Sequence, residues 1–138
     1  MIYAVPFPLS PTPAVIPTVA DPRTVTFVVE GQPIPKERPR VVNGHAYTPA
    51  RTRNWETAVA WCARMAMGPK KPMTGDLVVT LEFRRKGKLR ADCDNMIKGV
   101  IDAGNRVLWH DDKQVVEIHA KVCYGSDQPG VSVMVRGV

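Results

Sequence analysis

Between residues 77 and 122 the hydrophobic period of this chain changes twice. Leu77, Val79, Leu81 and Phe83 alternate with other residues, the two-residue period of a strand with one buried face. Met96, Ile97, Val100 and Ile101 then recur at the spacing of a helix with one apolar stripe. From Val116 through Ile118, Ala120 and Val122 the two-residue period returns. Gly104 and Asn105 fit the end of the intervening helix. Upstream, "TVTFVVEG" (residues 24–31) is rich in β-branched residues, stops at a glycine and reads as a strand. "RNWETAVAWCARMAMG" places Trp55, Val59, Cys62, Ala63 and Ala66 on one side of a helix. Thr52 is its expected cap with Glu56 nearby, and Gly68-Pro69 its stop. "VSVMVRGV" closes the chain as a short strand. The order strand, helix, strand, helix, strand, strand predicts an α+β fold. It would be a small single domain with a mixed β-sheet packed against two or three helices.

The 138 residues suffice for one such domain and its core without disulfides. Residues 1–22 carry six prolines. They cannot propagate a helix or a central strand, so they are expected to form an extended tail, leaving residues 23–138 as the domain. Pro33, Pro35 and Pro39 predict an irregular segment, and Asn43-Gly44 a tight turn at a hairpin tip. Cys62, Cys93 and Cys123 are odd in number and lack C-x-x-C spacing, which fits reduced thiols in a cytosolic protein. The acids flanking Cys93 would raise its pKa, the wrong direction for a nucleophile. No apolar run is long enough for a membrane span, and the N-terminus lacks the charged start of a secretory signal.

Nineteen Lys and Arg against thirteen Asp and Glu give a net charge of +6, which points to a polyanionic partner or simply to a basic soluble protein. Yet five aspartates fall between residues 92 and 112, namely Asp92, Asp94, Asp102, Asp111 and Asp112. Carboxylates this close repel unless something neutralises them. Asp92 and Asp94, two apart at a strand-to-helix junction, can face one pocket. A hard cation such as Mg²⁺ takes a few carboxylate oxygens plus water, and a third carboxylate is available from Asp111 or Asp112. In a basic protein this chemistry suits phosphodiester hydrolysis, with the metal polarising a phosphate oxygen. Lys98, one helical turn after Asp94, could stabilise charge on the phosphate. The bland readings stand beside these. Asp94 would cap the helix, Lys98 and Asp102 would form a surface pair, and Asp111-Asp112 would be turn residues. His110 and His119 read as surface or strand residues.

"DCDNMIKGVIDAG" followed by "LWHDDKQVVEIHAKV" resembles the RusA-type Holliday junction resolvases, whose signature is D-x-D-N-x-x-K, a further Asp, then D-D-x-Q and a strand. Asp92, Asp94, Asn95, Lys98, Asp102, Asp111, Asp112 and Gln114 match it. "GQPIPKERPR" and "YTPARTRNWE" resemble the segments preceding the signature in the variant common in Gram-positive bacteria and their phages. The resemblance spans residues 24–124. It implies a cytoplasmic, homodimeric endonuclease that needs Mg²⁺, with Mn²⁺ as a substitute, and cuts four-way DNA junctions by paired nicks. It implies Asp92, Asp94 and Asp112 as metal ligands, Lys98 as the catalytic lysine and Asp111 in support. The basic residues Lys36, Arg38, Arg40, Arg51, Arg53, Arg84, Arg85, Lys86, Lys88 and Arg90 are the expected DNA contacts. The rival readings are a DNA-binding module without catalysis and a nuclease for a broader range of branched DNA.

Overall fold

The computed structural model describes residues 23–138, and the expected proline-rich tail lies outside them. Four strands form the main sheet: β1 (Thr24–Glu30), β4 (Leu77–Arg84), β5 (Val115–Cys123) and β6 (Gly130–Gly137), in the order β1-β6-β4-β5. β6 runs antiparallel to both β1 and β4, while β4 and β5 run parallel, so the sheet is mixed as expected. β4 and β6 take the centre, and most of their positions are buried. Leu77, Val79, Leu81 and Phe83 are buried on β4, and Val131, Val133 and Val135 on β6. A central strand is covered on both faces, and here Val78 and Ser132 are also buried.

Two helices pack against the sheet and each other: α1 (Ala50–Met67) and α2 (Cys93–Gly104). Trp55, Val59, Ala63 and Met67 recur every four residues and form the buried stripe of α1. On α2 the buried residues are Met96, Gly99, Val100, Ala103 and Gly104. Ile97 and Ile101, read with the same stripe, are only partly buried and face an open groove beside β5. A short 3-10 turn, Asp112–Gln114, precedes β5.

The expected turn at Asn43-Gly44 is the tip of a hairpin, β2 (Arg40–Val42) and β3 (His45–Tyr47). Both turn residues have positive φ, 52° and 78°, which Asn and Gly tolerate. All six strand residues are exposed, so the hairpin stands off the core.

One local expectation fails, the cap of α1. Helix α1 starts at Ala50 behind Pro49, and Thr52 is a buried helical residue rather than the cap. Its hydroxyl donates to the Glu37 carboxylate (3.3 Å) and accepts from the Glu37 backbone N–H (3.4 Å), tying the proline-rich segment to α1. Glu56 turns to Lys36 instead of supporting a cap. β5 forms where its alternation places it, but much of it stays exposed. β5 is an edge strand, and Val116 (57%) and Ile118 (41%) remain exposed because α2 covers only part of that face.

Candidate active site

Helix α2 begins where the chain leaves β4 through the exposed loop Lys86, Gly87, Lys88, Leu89, Arg90. Tyr124, just beyond β5, fixes the end of this loop. Its hydroxyl accepts from the Ala91 N–H (3.2 Å) and lies 3.3 Å from the Ala91 carbonyl. The Arg90 guanidinium stacks on the same ring, 4.6 Å from its centroid. Asp92 therefore enters the helix N-terminus at a defined position. Its backbone takes the cap conformation, but its side chain makes no cap bond and accepts from Asn95 Nδ2 at 3.1 Å. Asp94 lies in the first turn, where the helix dipole favours negative charge. Both carboxylates are exposed, and among the described residues neither sits in an ion pair.

Lys98 lies one turn further on. With Asp94, Asn95, Ile97, Ile101 and Ile118 it lines the open groove between α2 and β5. Its alternative role as a surface partner of Asp102 does not hold, because Asp102 pairs with Lys36 at 3.1 Å. Lys98 has no ion-pair partner among the described residues.

Asp111 and Asp112 lie at the other end of α2. Asp111 caps the 3-10 turn, accepting from Lys113 N–H at 2.9 Å. Gln114 anchors this turn: its Oε1 accepts from His110 and Asp111 N–H, and its Nε2 donates to the carbonyls of Met73 and Gly75. Asp112 is half-buried, with Oδ2 accepting from Asn105 Nδ2 at 3.3 Å. The separation from Asp94 follows from topology. β5 is parallel to β4 and starts beside Leu77, whereas α2 starts after Arg84 at the opposite end of β4. The twelve residues of α2 span about 18 Å between them. Accordingly, no three Asp, Glu, His or Cys among the described residues lie close enough to hold one metal ion. Asp92 and Asp94 offer hard oxygens of the kind magnesium takes, with no paired cation among the described residues, and of the two Asp94 lines the groove with Lys98. One chain, however, presents these carboxylates apart from Asp112.

The basic residues divide into two groups. Arg38, Arg40, Arg51 and Arg53 are exposed around the hairpin and the start of α1, and Lys86, Lys88 and Arg90 are exposed before Asp92. Arg40 makes only a long contact of 3.8 Å with Glu37. Lys36, Arg84 and Arg85, grouped with them on sequence, have partners within the fold. Lys36 Nζ binds Glu56 (2.7 Å) and Asp102 (3.1 Å). Arg84 binds Ser132 Oγ (2.8 Å) and the Gln128 carbonyl (3.2 Å). Arg85 donates to the Pro33 carbonyl at 3.1 Å. Spacing could not reveal these contacts, because Glu56, Asp102, Ser132, Gln128 and Pro33 are distant in the chain from the residues they bind.

Cys93 has its thiol pKa pushed up by burial and then by Asp94 and Asp92, against a nucleophilic role. His119 lies on β5 against Glu117, and His110 is exposed, as expected of strand and surface residues. Asn105, Trp109 and Tyr124 were not singled out as site residues on sequence. The Asn105–Trp109 spacing of four, just before the acidic pair, was the available signal.

An exposed acidic helix start in a basic α+β chain has the makings of a nucleic-acid enzyme, and comparison with known proteins defines the class. Residues 30–136 match the family Endodeoxyribonuclease RusA, and the chain belongs to that family of endodeoxyribonucleases acting on branched DNA junctions. It is also 32% identical to the uncharacterized protein YqaN of Bacillus subtilis (strain 168) over 139 residues, which cover 83% of this chain and 96% of that protein. No helix among the described residues is long and apolar enough to cross a membrane.

Proposed function

We propose that this protein is a magnesium-dependent endonuclease that resolves four-way DNA junctions by paired, symmetric nicks and acts as a homodimer. One observation carries the reading. Asp92 at the cap of α2, and Asp94 and Lys98 in its first half, are exposed and without ion-pair partners among the described residues. Beside a phosphodiester such carboxylates are repulsive unless a hard cation lies between, and Mg²⁺ accepts this oxygen chemistry. When bound, it would supply Lewis-acid polarisation of the scissile phosphate. Asp92, Asp94 and Asp112 would hold it. Lys98 would donate to the charge that develops on the phosphate or the leaving oxygen. Arg38, Arg40, Arg51, Arg53, Lys86, Lys88 and Arg90 would grip the DNA backbone.

The distance between Asp94 and Asp112 favours a two-fold assembly. If α2 lies antiparallel to α2 of a second copy, the start of each helix meets the end of the other. Asp112 of one chain then joins Asp92 and Asp94 of its neighbour. Ile97 and Ile101 on α2, with Val116 and Ile118 on the β5 edge, offer an apolar face for this contact. Such a dimer carries two equivalent sites, as symmetric nicking of a junction requires.

The test uses labelled four-way junction and linear duplex of matched sequence, each with Mg²⁺ or EDTA. Cleavage of the junction alone, and only with Mg²⁺, is expected. Equal cutting of duplex or flaps would replace junction specificity with a broader one, and binding without cleavage would leave a DNA-binding module. Asp94→Asn and Asp112→Asn, each inactive alone, are then mixed and allowed to exchange subunits. A site shared between chains regains one intact copy per mixed dimer and nicks one strand. A site built within one chain stays dead.

A further inference from the structure

We propose that Asn105 is a positioning residue for Asp112, locked in orientation by the indole of Trp109; the proposal rests on the reading of Asp112 as a metal ligand. The three side chains form a relay: Trp109 Nε1 donates to Asn105 Oδ1 at 2.9 Å, and Asn105 Nδ2 donates to Asp112 Oδ2 at 3.3 Å. An asparagine amide can present either end to a neighbour, but the indole N–H can only donate. Oδ1 must therefore face Trp109, which turns the amide N–H groups toward Asp112. The carboxylate meets a donor on Oδ2 and keeps Oδ1 for a cation.

The anchor is rigid. Trp109 is fully buried, and its ring packs so closely on the end of α2 that a Cβ at Gly104 would lie 2.6 Å from it. Its carbonyl accepts from Arg106 N–H at 2.7 Å, and the neighbouring Leu108 carbonyl accepts from Met73 N–H at 2.7 Å. The Asn105 side chain is not needed to end the helix, because its backbone N–H makes the cap contact with the Asp102 carbonyl (3.3 Å). What the side chain adds is directed at Asp112. Partners that orient a metal ligand in this way typically contribute 10- to 100-fold in metal affinity or activity.

The experiment measures Mn²⁺ binding by the full chain, from the signal of free Mn²⁺ in electron paramagnetic resonance, for wild type, Asn105→Ala and Asp112→Asn. Thermal melts in EDTA report folding. Asn105→Ala is expected to weaken Mn²⁺ binding about 10- to 100-fold. Its junction-cleavage rate should return to within several-fold of wild type at saturating metal. Wild-type Mn²⁺ affinity in Asn105→Ala beside a loss in Asp112→Asn overturns the positioning role and leaves Asp112 a ligand. Wild-type affinity in Asp112→Asn removes Asp112 from the metal site, and the proposal with it. Should Asn105→Ala fail to fold, Trp109→Phe carries the test, since it keeps the asparagine but frees its amide to turn. Weaker Mn²⁺ binding is expected there too, and unchanged affinity overturns the proposal.

Discussion

Replacing Lys36 with methionine separates a structural from a DNA-binding role for the first basic residue of the proline-rich segment. Its ammonium lies between Glu56 on α1 and Asp102 on α2, and its own backbone N–H donates to the Asn95 carbonyl at 2.8 Å. One side chain thus ties the segment to both helices. Lys36 and Glu56 side chains are 23% and 21% exposed and Asp102 is 37% exposed, so the cluster lies between a surface and a buried pair. Exposed pairs contribute roughly 0–1 kcal/mol, and breaking a buried one costs roughly 3–5 kcal/mol. With the Asp102 contact discounted for its exposure, Lys36→Met should cost about 2 kcal/mol. For a domain of this size that lowers Tm by roughly 6–10 °C. Burial acts to lower the Lys36 pKa, but Glu56 and Asp102 outweigh it, and the net shift is upward from 10.5. A raised folded-state pKa gives stabilisation that is complete below the unfolded value and lost as pH rises through the folded one. The wild-type advantage should therefore be constant from neutral pH to about pH 9 and shrink only above 10.5. Thermal melts across pH, together with junction binding across salt, check this. An unchanged Tm with a salt slope flatter by about 0.9 would show that Lys36 meets a phosphate, refuting the structural assignment.

Lys98→Ala should cleave junctions on the order of 100-fold more slowly, while its Tm stays within a degree or two of wild type. Single-turnover rates with melts check this, and unchanged turnover would return Lys98 to an ordinary surface residue. Arg38→Ala and Arg51→Ala should weaken binding to junctions of any sequence, each flattening log affinity against log salt by about 0.9. A loss of Tm with an unchanged slope would instead mark them as fold contacts.

How much was legible beforehand varies with the range of the interaction. Strand and helix periods place β4, α2 and β5 correctly, because the repeat of each element is a property of neighbouring residues, whether its apolar face ends up fully buried, as on β4, or partly exposed, as on β5. Asn43-Gly44 announces its turn through positive φ, a property of those two residues alone. The D-x-D-N-x-x-K and D-D-x-Q elements identify the family, since a family leaves its residues in the chain itself. The cap of α1 is not legible in its local sequence, because Thr52 and Glu56 take partners at Glu37 and Lys36, 15 and 20 residues away.

The sequence by itself determined the α+β pattern, the family and the acids that candidate chemistry needs, each encoded by residue type and near-neighbour spacing. Only the tertiary structure decided which charges are free. It gave Lys36, Arg84 and Arg85 to internal partners and left Lys98 without one among the described residues. It also set Asp92 and Asp94 apart from Asp112, because the parallel pairing of β4 and β5 puts the two ends of α2 at opposite ends of the sheet. Charge is written in the chain, but pairing depends on distance in space, and that distance exists only once the strands have taken their order.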